Sequence, residues 1–136
     1  MSDIAHTVEV DLDHPAAVEA VTAALADQGF GVLSTIDVQA TLQAKLGEQI
    51  DAYTILGACN PALAHAALSA NPEVGLLLPC NVTVRRAEGR TIVQAVDPGA
   101  LLGVAADNAG PDLGETASDA GSRLRAALDS LTTTTA

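Results

Sequence analysis

Two Cys-Asn dipeptides, Cys59-Asn60 and Cys80-Asn81, hold both cysteines of the 136-residue chain and are its most chemically distinctive residues. Cys59 stands just before Asn60-Pro61, a helix start. The unpaired N–H groups and positive dipole end of a helix N-terminus favour a thiolate over a thiol. Cys80 follows Pro79 after a second apolar segment. If the strands carrying them are neighbours, the two sulfurs come within disulfide or shared-ligand range. His65 lies six residues beyond Cys59 and offers a nitrogen ligand or a proton only where the strand end folds back. The asparagine amides suit a small polar molecule, and Gly57 allows a close backbone approach. The candidate site is therefore Gly57, Cys59, Asn60, His65, Pro79, Cys80 and Asn81, with Cys59 and Cys80 as candidate metal ligands.

Each of these residues also has a plainer reading. Free cysteines are commonly small buried hydrophobes, Asn60 is a good helix cap, and Asn81 suits the bend after Pro79. No Cys-x-x-Cys, His-x-x-x-His, glycine-rich phosphate loop or Gly-x-Ser-x-Gly elbow is present. The usual zinc spacings and the familiar nucleophile motif are thus missing, and a soft-metal or persulfide site needing only two sulfurs stays open. The residues identify no cofactor and no catalytic group.

The elements that must position these groups follow from periodicity. Thr7–Leu12 alternates as a half-buried strand, and Asp13-His14-Pro15 opens a helix with Val18, Val21 and Leu25 on its stripe. Gln28-Gly29 ends it. Phe30–Ile36 reads as a strand. Asp37 caps a helix through Leu46 whose buried side would be Val38, Leu42 and Leu46, and Gly47 stops it. Ile50–Gly57 is the third strand, and the helix after Asn60 turns Leu63, Ala67 and Leu68 inward.

Val74–Leu78 reads as a fully apolar strand, interrupted at Pro79 and resumed from Asn81 to Arg86. Arg86-Ala-Glu88-Gly89-Arg90 reads as a tight hairpin connection, with Glu88 as a partner for Arg85 and Arg86, and Thr91–Val96 as the return strand. Asp97-Pro98 opens a helical turn to Leu102. Residues 103–114 read as a loop, and the last helix runs from Glu115 to Leu131, with Ala117, Ala120, Leu124, Leu128 and Leu131 on one face. These elements predict one α+β domain, residues 1–136, with about five strands in a mixed or antiparallel sheet and helices packed on it.

Composition narrows the function classes. One Phe, one Tyr and no Trp leave few stacking faces for bases, and a net charge of −11 repels nucleic acid and anionic lipid. No segment has the length and apolarity of a membrane helix, and the N-terminus lacks the basic start of a signal peptide, so a cytoplasmic location is expected.

Four segments in order, Gly29-Phe-Gly-Val-Leu-Ser-Thr-Ile-Asp37-Val, Ile55-Leu-Gly-Ala-Cys59-Asn-Pro61, Leu76-Leu-Leu-Pro79-Cys80-Asn-Val and Ala95-Val-Asp97-Pro98, resemble the domain of unknown function 302 family over about Val8–Leu102. The resemblance implies a compact, TATA-binding-protein-like α+β fold and a homodimer, and it implies no reaction. The tail helix lies outside the strongest match. The expected functions are small-ligand or partner binding at the Cys/Asn-lined cleft, thiol redox or soft-metal chemistry through Cys59 and Cys80, or a structural dimer.

Overall fold

The computed structural model describes residues 4–103 and 111–133. Five strands form one antiparallel sheet in the order β1-β5-β4-β3-β2, where β1 is Ala5–Val10, β2 Gly31–Asp37, β3 Tyr53–Cys59, β4 Cys80–Ala87 and β5 Arg90–Val96. The helices are α1 His14–Asp27, α2 Val38–Leu46, α3 Pro61–Ala70, α4 Pro98–Gly103 and α5 Pro111–Thr133. The expected α+β architecture is thus present, with every neighbouring pair antiparallel. Among the described residues, no helix is long and apolar enough to cross a membrane.

Local chemistry sets the element boundaries. The Asp13, Asp37 and Asn60 side chains each accept a hydrogen bond from a backbone N–H three residues on, at 3.0, 2.9 and 3.2 Å, which satisfies donors the helix leaves unpaired. Glu88 and Gly89, with φ of 52° and 77°, form the two-residue turn between β4 and β5. Positive φ at both central positions gives the turn the twist of the strands it joins.

One face of the sheet carries the core. Val8 and Val10 of β1, Leu56 and Ala58 of β3, Val82 and Val84 of β4, and Val93 and Ala95 of β5 are buried there. Val21 and Leu25 of α1 and Leu124 and Leu128 of α5 pack against them in one cluster. His14 anchors the start of α1, its Nε2 standing 3.1 Å from Thr54 Oγ1 and 3.3 Å from the Val84 carbonyl. His6 Nε2 lies 2.7 Å from an Asp129 carboxylate oxygen, tying the first strand to the last helix.

Several expected elements differ. Val74–Leu78 is not a strand: Pro72–Leu77 is a 3-10 turn, and only Val74 of it is buried. Asn71 Oδ1 accepts from the Glu73 N–H at 3.0 Å and Pro72 takes the first turn, so a local start signal outweighs the apolar run. The α2 stripe is not buried either: Val38 and Leu42 are half-exposed and Leu46 is 69 % exposed. The last helix begins at Pro111, so 111–114, expected as loop, is helical, while 104–110 lies outside the described residues. Glu88 partners neither Arg85 nor Arg86. It pairs with Arg90 at 3.8 Å, Arg85 donates to Gln94 and Arg86 to Thr91.

Candidate functional site

β3 ends and β4 begins at the same end of the sheet, which brings Cys59 and Cys80 to one place. Register decides their relation. Cys80 stands opposite Ala58, so Cys59 is one residue out of step with it, and successive strand residues point to opposite faces. Both cysteines are free and half-exposed, and the expected disulfide or shared-ligand pairing is corrected on this ground. Among the described residues no group of three or more His, Cys, Asp and Glu side chains could hold a metal ion.

Burial, and secondarily the neighbouring Cys59, push the Cys80 thiol up from 9.0 to about 11. Cys80 is therefore protonated near neutral pH and is a poor nucleophile or metal ligand there. The unfolded thiol ionises first as pH rises. The stabilising contribution is thus present below pH 9 and lost as pH approaches 11. Urea-unfolding midpoints of the native protein are expected to fall more steeply between pH 9 and 11 than those of Cys80→Ala; parallel curves would contradict the assignment.

What the two cysteines share is a cavity of about 290 Å³. Its floor is the end of the sheet at Ala58, Cys59, Pro79 and Cys80, and its walls come from α3, the 3-10 turn, α4 and α5. It lies between the main core and a smaller buried cluster of Ala67, Val74 and Ala117, flanked by Leu77 and Leu78. The physical origin of the space is side-chain size. Ala64 and Ala67 of α3 and Ala117 and Ala120 of α5 line it, and alanines leave room that leucines would fill. The lining is almost entirely apolar, with Asn60, Thr116 and the two thiols as its polar groups.

The candidate residues divide around this cavity. Cys59, Asn60, Pro79 and Cys80 line it. Asn60 Oδ1 is committed to the α3 cap, which assigns the two ends of its amide. Asn60→Ala is expected to cost about 1 kcal/mol of stability by loss of that cap, read as a lowered denaturation midpoint.

Gly57, Asn81 and His65 do not line the cavity. Gly57 is buried in β3 beneath Pro79, whose bond to Leu78 is cis, and Asn81 is exposed opposite Gly57. His65 is exposed on α3. Sequence reasoning missed Phe30, Leu33, Leu101 and the alanines of α5 as lining residues. The available signal was the density of alanine in α3 and α5.

The DUF302 profile, described as a domain of unknown function, matches residues 6–131. The chain belongs to this family. The match runs through α5, so the last helix is part of the DUF302 domain rather than an appendage. A crystal structure of an uncharacterised conserved DUF302 protein from Bacillus stearothermophilus is similar, with a TM-score of 0.88 at 33 % identity over 95 % of this chain and 98 % of that one. No curated protein matches. The two chains share the DUF302 fold.

Proposed function

We propose that this DUF302 domain is a binding module for a small, uncharged, predominantly apolar molecule held in the cleft between α3 and α5. The observation that carries this is an apolar cavity of about 290 Å³ at the end of β3 and the start of β4, next to the buried core. An apolar cleft of this size offers the water in it few polar partners. Its volume is near the lower end for small-ligand sites, which suits a ligand of modest size. Chemistry that needs both thiols has less support, because Cys80 stands opposite Ala58 and not Cys59.

Ala64 is half-buried on the cleft wall, so Ala64→Phe fills the space without entering the buried core. In titrations with the fluorescent probe N-phenylnaphthylamine, the native protein is expected to bind and Ala64→Phe to bind at least about tenfold more weakly, equivalent to about 1.4 kcal/mol. Equal binding by a folded Ala64→Phe protein would remove the cleft as the site. Native mass spectrometry of gently purified protein would identify any retained ligand.

A further inference from the structure

We infer that the cleft selects an apolar molecule carrying one uncharged hydrogen-bond acceptor, a ketone, ester or amide carbonyl, and that the Asn60 side-chain N–H groups recognise it; this rests on the cleft being the ligand site. The two ends of the Asn60 amide have different duties. Oδ1 accepts from the Leu63 N–H at 3.2 Å as the cap of α3, which leaves Nδ2, a donor of two hydrogens, on the other side of the amide. Among the described residues Nδ2 donates to no protein acceptor. Asn60 is half-buried and lines the cleft. While the cleft holds water, water receives these N–H groups. An apolar ligand displaces that water, and the donor is then stranded unless the ligand itself brings an acceptor.

The surroundings of Nδ2 favour an acceptor and disfavour a charge. A Cβ placed on Gly29 would meet Nδ2 at 2.9 Å and Arg123 Nη1 at 3.7 Å, so two donor nitrogens converge over a residue that has no side chain. Gly29 precedes Phe30 and Arg123 lies three residues beyond Ala120, and both Phe30 and Ala120 line the cleft. Arg123 is already engaged: its Nε donates to Asp119 at 3.1 Å and its Nη1 to the Gln28 carbonyl at 3.4 Å. Its charge is matched by Asp119 rather than offered to a ligand. A carboxylate entering the cleft would lose hydration with no cationic side chain among the described lining residues to receive it. A hydroxyl fits less well than a carbonyl, because it brings a donor of its own while Oδ1 is committed to the cap.

Displacement of bound N-phenylnaphthylamine by three chains of similar length, methyl pentyl ketone, heptanoate and the hydrocarbon heptane, tests the assignment. The native protein is expected to take the ketone about tenfold more tightly than heptane, and heptanoate more weakly than the ketone. Asn60→Asp keeps an oxygen for the α3 cap and removes both N–H groups, and Asn60→Ser keeps the cap without adding charge. In both variants, shown to be folded by circular dichroism, the preference for ketone over heptane is expected to disappear, whereas a role in the cap alone would leave it unchanged. The side-chain N–H pair of Asn60, assigned in amide NMR spectra by its loss in Asn60→Asp, is expected to move downfield with the ketone and not with heptane. Equal binding of ketone and heptane by the native protein, a preference that both folded variants retain, or tighter binding of heptanoate overturns the inference and leaves the cleft as the ligand site. Failure of all three chains to displace the probe, or their unchanged binding to Ala64→Phe, removes the cleft itself and the inference with it.

Discussion

Leu128→Ala is expected to lower the stability of the fold by about 2–5 kcal/mol, the range for removing a fully buried leucine from a core that cannot collapse around the gap. Leu128 is 0 % exposed and packs in the cluster that joins α5 to α1 and the sheet. The loss combines the transfer of the removed carbons with the cavity left behind. Urea denaturation at neutral pH measures it as a shift in midpoint at constant slope. A change below about 1 kcal/mol would mean that α5 is not integral to the core, since surface substitutions have effects of that size.

The second large effect is expected at Gly57, from crowding rather than from a void. A Cβ placed there would lie 2.8 Å from Pro79 Cγ and closer still to Ser34 Oγ. The residues on both sides are held by the ladders to β2 and β4, so relief requires the strands or the Leu78–Pro79 bend to move. Gly57→Val is expected to cost about 3 kcal/mol, at the upper end for overpacking. The diagnostic measurement is a pair of variants. If Ser34→Ala together with Gly57→Val recovers part of the lost midpoint, steric conflict is the cause. Equal losses with and without Ser34→Ala would place the conflict with Pro79 alone.

The parts of this fold legible in the sequence are those whose signals are local. Asp13 before His14-Pro15, Asn60 before Pro61, and Glu88-Gly89 between two alternating segments each specify a cap or turn through neighbours a few residues away. The family was legible for a related reason, as its segments are short and ordered along the chain. Val74–Leu78 was misread because a five-residue apolar run fits either a strand or a buried turn, and Asn71-Pro72 decided between them.

For α2 the pattern was correctly helical, but periodicity states only that a face is apolar, not whether anything covers it. The candidate site was legible in part. Cys59, Asn60, Pro79 and Cys80 do meet at the end of the sheet. Asn81 falls outside the cleft because it points opposite to its neighbour Cys80, and Gly57 because Pro79 and Ser34 cover it; a motif fixes neither. The cavity itself depends on alanines from helices about fifty residues apart, so no local motif announces it.

The strand order has a consequence for how the chain reaches this structure during synthesis. β1 is made first, yet its neighbour is β5, and the groove in which α1 packs is completed by α5 at the far end of the chain. The ribosome therefore releases Val8, Val10, Val21 and Leu25 long before their partners exist. Contacts of such sequence separation form slowly, and the early apolar surface is open to association with other chains while it waits. A nascent chain arrested before α5 emerges is expected to remain protease-sensitive, and resistance would appear abruptly once Leu124 and Leu128 have cleared the exit tunnel.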